Sequence, residues 1–336
     1  MPVSSGQVLE VLVVCHAGMG VGLGHLTRSI VIARALQQDL SARVQILIQG
    51  DVVPLDDANS FDHHFLKSEE SLKDAVLALA GRDDVKLLVF DLHPERVPPD
   101  IDDLFVELRK SGRRLVAVDS MSEHSKFLDL VFIPAFQFQP PPPPADPAKF
   151  IFGWDCFLLN VRQTPRPWRA GNNILVLSGG SDTMGLGRTW PQEINDCLPS
   201  DSDLHWVTGP FAEPPIWPES PRIKMHNHIS PRGLDSLMVN ACYAITLYGV
   251  SFYELLYYGI PTVVFSPYGG KDDSELMAIA ALGVASVAHD EHDAIDKLKE
   301  LMSDDELAGA LSTESLRRMS VRGGHRFVSS VATLLS

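Results

Sequence analysis

Short apolar runs alternate along this chain with longer stretches whose apolar positions recur every three or four residues. In the first half, Val8–Cys15, Arg43–Gln49, Val85–Phe90, Arg114–Val118 and Asp129–Phe132 read as strands. A helix opening at His25 and running through Leu36 follows the first run, and Glu69–Ala80 and Ile101–Ser111 carry helical spacing. Apolar strands separated by helices predict a parallel sheet covered on both faces. A second series has strands at Asn173–Leu177, His205–Thr208, Ala241–Thr246 and Thr262–Phe265. Its helices fall at Leu234–Asn240, Ser251–Tyr258, Ser274–Leu282 and Ala294–Met302, with Gly259 and Gly283 placed as helix-ending glycines. His325–Leu335 reads as a last helix.

The punctuation divides the chain in two. Pro140–Pro144 excludes helix and central strand and favours a stiff, extended surface loop. Pro165, Pro167 and Gly171 mark residues 161–172 as a linker. The expected organisation is a first α/β domain over 1–160, a second over 173–320, and a C-terminal helix over 321–336 packing back on the first. The fold class is α/β with two Rossmann-like domains. Facing each other, these would gather the carboxyl ends of both sheets around one ligand cleft. The conspicuous loops, Gly18–His25, Asp91–His93, Asp119–Ser120, Gly179–Asp182, Tyr248–Ser251 and Ser266–Asp273, all follow strands.

Charge narrows the partners. The 336 residues carry a net charge of −15, which speaks against nucleic acid, since phosphate backbones want clustered Lys and Arg. Cys15, Cys156, Cys197 and Cys242 are scattered without a C-x-x-C, as expected of buried thiols in a reducing compartment. No apolar run is long enough to span a membrane, and Glu10 interrupts the first one. A cytoplasmic protein is expected.

Three segments carry candidate chemistry. Gly18-Met19-Gly20-Val21-Gly22-Leu23-Gly24-His25 joins the first strand to a helix, yet it is neither G-x-x-x-x-G-K-[ST] nor G-x-G-x-x-G. Glycines admit a ligand close to the backbone, a helix N-terminus attracts anions, and a histidine there can carry a proton. The alternative is a plain strand-to-helix connection. Ser178-Gly179-Gly180-Ser181-Asp182 offers an anion approach, or a turn whose Ser or Asp caps the next helix. Tyr248-Gly249-Val250-Ser251-Phe252-Tyr253-Glu254 gives a diphosphate a helix N-terminus and a ribose diol the Glu254 carboxylate. Alternatively, Ser251 and Glu254 form a capping box. Arg28 suits a ligand phosphate or a partner in Asp91 or Asp119, and those two either orient His25 or cap loops. His16, His63, His64 and His93 lack a zinc spacing and read as solvated or structural, so no metal is expected.

Taken in order, Gly-x-Gly-His-x-x-Arg, Gly-Gly-Ser-Asp, and Gly249-x-Ser251-x-x-Glu254 followed by Gly259-Ile260-Pro261 resemble the GT-B nucleotide-sugar enzymes. The resemblance is closest to the pseudaminic-acid-pathway UDP-sugar hydrolase and the spore-coat polysaccharide glycosyltransferase-like proteins. It extends more distantly to the lipid II-forming N-acetylglucosaminyltransferases. It implies His25 as catalytic base with Asp91 and Asp119 nearby, and Gly24, Gly179, Gly180, Ser181, Gly249, Val250, Ser251 and Glu254 around the nucleotide and its phosphates. Lys271, Asp272 and Asp273 stand where such proteins usually carry amides that read the donor sugar; a cation and two carboxylates are not equivalent to amides, so the resemblance does not carry over the identity of the sugar or of the reaction. The resemblance implies a UDP-sugar substrate and no tightly bound cofactor. The expected function is glycosyl transfer from a nucleotide sugar to a small-molecule or glycan acceptor. The alternatives are a hydrolase with water as acceptor and a non-catalytic nucleotide-sugar binder.

Overall fold

The computed structural model describes residues 8–52, 60–82, 84–142, 145–229, 233–319 and 322–336. The chain divides into two compact units, Met1–Asn160 with Ser320–Ser336 (unit 1) and Val161–Met319 (unit 2).

Unit 1 runs β1 (Glu10–Ala17), α1 (Gly24–Leu40), β2 (Arg43–Gly50), β3 (Asp62–Leu66), α2 (Leu72–Arg82), β4 (Leu87–Asp91), α3 (Ile101–Lys110), β5 (Arg114–Val118), β6 (Leu130–Ile133) and β7 (Phe150–Phe152). Its sheet has the order β3-β2-β1-β4-β5-β6-β7, with every pairing parallel. The central strand β1 is buried from Val11 to Ala17, as a strand covered on both faces must be. One face packs Leu12, Val14, Leu88, Phe90 and Leu115 against Phe105 of α3. On the other, the C-terminal helix, given last below, meets α1, and Phe327 sets its ring edge-on to Phe132 at 5.3 Å. Gly323 there lies so close to the Phe157 carbonyl that a Cβ would fall 2.0 Å from it.

Unit 2 runs β8 (Asn173–Leu177), α4 (Leu186–Cys197), β9 (Asp203–Thr208), β10 (Lys224–Ile229), α5 (Leu234–Asn240), β11 (Tyr243–Leu247), α6 (Val250–Tyr258), β12 (Thr262–Phe265), α7 (Asp273–Leu282), β13 (Ser286–Val287), α8 (Glu291–Ser303) and α9 (Asp305–Arg318). The C-terminal helix of unit 1 is α10 (Gly323–Leu335). The second sheet is also all parallel, in the order β10-β9-β8-β11-β12-β13. One face buries Trp190, Trp206, Ile245 and Phe265; the other buries Leu175, Leu177, Leu255 and Tyr258.

In both sheets the chain builds outward on one side of the first strand and then reverses. The reversal lies between β1 and β4 in unit 1 and between β8 and β11 in unit 2. Beyond the carboxyl ends of the strands, such switch points open crevices, because the flanking connections leave in opposite directions.

Several boundaries move. The first strand extends to Ala17, since His16 is 1% exposed and hydrogen-bonds Gln49 on the next strand. Strands β3, β7, β10 and β13 and helices α4 and α9 are additions to the sequence reading. Pro140–Pro142 adopt neither helix nor strand, and Pro143 and Pro144 lie outside the described residues. Cys15 and Cys156 are buried, but Cys197 and Cys242 are only half-buried. Among the described residues no helix is long and apolar enough to cross a membrane.

Candidate functional site

The switch point of unit 1 holds a tight cluster of charged groups. His25 lies in the first turn of α1, Arg28 one turn further, Asp91 ends β4, and Asp119 follows β5. The helical offset of three residues puts His25 and Arg28 on one face, both turned to Asp91. His25 Nδ1 lies 2.7 Å from Asp91 Oδ1. Arg28 donates to both oxygens of Asp91, at 3.0 and 2.7 Å, and through Nη1 to Asp119 Oδ2 at 2.9 Å. Asp91 is fully buried. Burial alone would push its carboxyl up; the Arg28 guanidinium and the His25 ring outweigh that and hold it below the usual carboxylate range. Burial would likewise weaken Arg28 as a cation, but Asp91 and Asp119 more than restore its charge. Arg28 is therefore committed to two carboxylates rather than to a ligand phosphate.

An ionised Asp91 fixes the chemistry of His25. Arg28 Nη2 also lies 3.0 Å from His25 Nδ1, but its protons are directed to the carboxylates. Facing the ionised Asp91 at 2.7 Å, Nδ1 is assigned the proton, and that tautomer leaves Nε2 with its lone pair, the arrangement a general base requires. His93 stands edge-on to His25, with ring centroids 5.7 Å apart. His16 sits behind the cluster and serves the fold. Its Nδ1 accepts from the His93 backbone N–H at 3.0 Å, and its other nitrogen meets Gln49 Oε1 at 3.3 Å. Burial pushes His16 down to about 4, so it stays neutral.

The glycine loop before His25 is closed on itself. Gly18, Gly20 and Gly22 take φ of +136°, +78° and +75°, which side chains rarely adopt. The Gly18 and Gly22 amides donate to each other's carbonyls, Val21 N donates to Gly18 O, and Met19 N donates to the Asp51 carboxylate. With these donors spent and an anion already beside it, this stretch makes a poor phosphate cradle. Gly24 opens α1, and the preceding Leu23 offers no side-chain cap.

Unit 2 is built differently around its own switch point, where the loops after β8 and β11 are neighbours. Helix α6 begins at Val250 with Gly249 as its N-cap and no side-chain cap. Ser251 is thus the second helical residue and Glu254 lies too far along, so the capping-box reading fails on register. Gly249 is exposed, with open space where a Cβ would stand. Glu254 is 8% exposed, one turn into the helix. Tyr248 and Tyr253 join their hydroxyls at 2.9 Å beside it.

At the Gly179–Ser181 loop the structure follows the turn-and-cap alternative. The helix after it starts only at Leu186, and the Asp182 carboxylate accepts from the amides of Leu186 and Gly187 at 3.0 and 2.9 Å. That N-terminus is therefore occupied by the chain's own anion, and Gly180 gains no positive potential from it. Ser178 is buried, so of the two flanking hydroxyls only that of Ser181 approaches the surface. After β12, Ser266 donates to Asp272, Lys271 lies over the Tyr268 ring at 5.5 Å, and Asp273 is exposed.

The sequence matches no family model and no curated protein. Solved structures do match over nearly the whole chain. MurG from Acinetobacter baumannii is 12% identical with a TM-score of 0.65, over 96% of this chain and 99% of that one. The calicheamicin glycosyltransferase CalG4 is 16% identical with a TM-score of 0.63, over 98% of each chain. A putative UDP-N-acetylglucosamine 2-epimerase from Listeria monocytogenes is 10% identical with a TM-score of 0.67, over 98% and 97%. The fold is of the GT-B type. At these identities the likeness concerns architecture, and what a GT-B chain does rests on its own side chains.

Proposed function

We propose that this chain is a GT-B glycosyltransferase that takes its sugar from a nucleotide-sugar donor, a UDP-sugar in the first instance, with His25 as the general base. The observation that carries this reading is the bond from His25 to the buried, ionised Asp91, which leaves the outer imidazole nitrogen available for a proton. In glycosyl transfer the base removes the acceptor hydroxyl's proton as that oxygen attacks the anomeric carbon, while the diphosphate departs with the bonding electrons. Departure needs positive potential at the phosphates, and the uncapped N-terminus of α6 supplies it through the amides after Gly249. Glu254 accepts from the ribose hydroxyls, each such bond contributing about 1.5–3 kcal/mol. Gly179, Gly180 and Ser181 lie across the same crevice from α6. Lys271, Asp272 and Asp273 face the sugar, with Asp272 partly held by Ser266. A glycosyltransferase and a UDP-sugar epimerase among the structural matches support a nucleotide-sugar substrate.

The test is a thermal-shift panel of nucleotides and nucleotide sugars, followed by product analysis with and without acceptor sugars. UDP and at least one UDP-sugar are expected to stabilise the protein, with UDP released mainly when acceptor is present. Release into water alone at the same rate would make the protein a hydrolase. No stabilisation by any nucleotide would overturn the reading of unit 2.

A further inference from the structure

Far from the switch-point loops, at the opposite end of the unit 2 sheet, lies a second cluster that the reaction does not use. The adjacent parallel strands β9 and β10 are registered so that Asp203 opposes Lys224, His205 opposes His226, and Val207 opposes His228. Alternation along a strand places Asp203 and His205, and across from them His226 and His228, on one face of the sheet. The rings of His205 and His226 stack at 4.8 Å and 16°, and those of His205 and His228 at 5.3 Å and 19°. One ligand atom from each of Asp203, His205 and His226 lies within 4.8 Å of the others.

The hydrogen bonding is unusual. Asp203 Oδ1 is buried and has no donor aligned on it. Yet His226 Nε2 is 2.7 Å away and His205 Nε2 is 3.5 Å away. Nitrogen and oxygen atoms that converge without a bond along the N–H direction are placed as ligands around a common point. Four-coordinate ions with bonds near 2.0–2.1 Å set neighbouring ligand atoms roughly 3.3–3.5 Å apart. The His205–Asp203 spacing of 3.5 Å matches that range, the His226–Asp203 spacing of 2.7 Å is shorter, and all three atoms lie within 4.8 Å. The fourth residue completes the pattern. His205 Nδ1 lies 3.0 Å from His228 Nε2, so a donation from Nδ1–H to His228 leaves His205 Nε2 as a lone pair facing Asp203. Ligating histidines are characteristically fixed by such a bond from their second nitrogen.

We infer that Asp203, His205 and His226 form a binding site for a divalent transition-metal ion of the zinc class, with His228 orienting His205. Two imidazoles and one carboxylate suit Zn²⁺ or Co²⁺ far better than Mg²⁺ or Ca²⁺, which prefer all-oxygen shells. Water fills the remaining positions, since the cluster is partly open to solvent. Asp203 opens its strand, so the ion sits at the amino end of the sheet, where open α/β sheets do not bind substrates. Its role is to clip the edge strand β10 to β9. This inference is independent of the proposed glycosyl transfer.

The experiment titrates Zn²⁺, and Co²⁺ followed by its visible absorption, into the tag-free full chain. A single equivalent is expected to bind, with a Co²⁺ spectrum of mixed nitrogen and oxygen ligation. Near a hundredfold excess over Kd, the melting midpoint should rise by about 5 °C. His226→Ala and Asp203→Asn should each weaken binding more than tenfold, and His228→Ala by roughly tenfold. His226 is nearly half exposed, so its replacement leaves the fold intact, and circular dichroism checks this. His64→Ala, on the edge strand β3 of the other sheet, should change nothing. Absence of stoichiometric binding in the wild type, or undiminished binding in both His226→Ala and Asp203→Asn, overturns the inference.

Discussion

The two switch points share a topology and differ in almost everything placed on it. In unit 1 the crevice is lined by side chains already paired with one another: a buried Asp91, an Arg28 bound to two carboxylates, and a His25 held at one nitrogen. In unit 2 it is lined by a glycine with open space beside it, the Tyr248–Tyr253 hydroxyl pair and the Glu254 carboxylate, around a helix start without a side-chain cap. Pre-paired, desolvated charges hold a proton carrier in one orientation. A helix start without a side-chain cap suits a charge that arrives from outside. On the proposed function, the same fold element serves fixed chemistry in one unit and anion capture in the other.

The largest effect should come from breaking the fixed side. Asp91→Ala strands the Arg28 guanidinium with only the partly exposed Asp119. Leaving a buried charge short of its partner costs about 3–5 kcal/mol. Hydrogen exchange should show β1, β4 and β5 losing protection while β8 to β12 keep theirs. Equal loss in both sheets would mean the cluster supports more than its own unit.

A smaller effect on the same side depends on pH. His16 titrates near 6.5 when unfolded and near 4 when folded. The unfolded chain therefore binds more protons between those values, and stability falls as pH drops from about 6.5 towards 4, by roughly 3 kcal/mol in all. Urea midpoints across that window should slope in the wild type and flatten in His16→Asn, which retains an acceptor for the His93 amide.

On the open side, Glu254→Ala should weaken UDP binding by about 10- to 100-fold, the equivalent of one or two charge-assisted bonds, as measured by calorimetry. Unchanged affinity would remove the ribose from this residue. The mildest change is Lys271→Ala, an exposed side chain whose loss should shift stability by no more than about 0.5 kcal/mol. Its expected signature is an altered preference among donor sugars at constant UDP affinity, scored by competing UDP-sugars in one assay.

What the sequence displayed follows the same division between inside and edge. Strands β1, β4, β5, β8, β11 and β12 are buried on both faces and show as apolar runs. The overlooked strands β3, β7, β10 and β13 are the four sheet edges. An edge strand has one partner and a wet side, so Asp62-His63-His64-Phe65 and Lys224-Met225-His226-Asn227-His228 carry too few apolar residues to register. Helix α4 was hidden by Pro191. Arg28, Asp91 and Asp119 could be named from strand ends and helical spacing. That Arg28 binds both aspartates depends on side-chain direction, which spacing does not supply. The Asp203, His205 and His226 cluster does not show in the sequence because its members come from two strands. Its only local trace is the alternation Asp203-x-His205 and His226-x-His228.

The most direct test is to measure turnover and UDP affinity together in His25→Ala. Turnover should fall by about 10²- to 10⁴-fold, the usual contribution of a positioned base, while the UDP dissociation constant stays within roughly threefold of the wild type. Undiminished turnover, or a parallel collapse of UDP affinity, would contradict the assignment of proton transfer to unit 1 and nucleotide binding to unit 2.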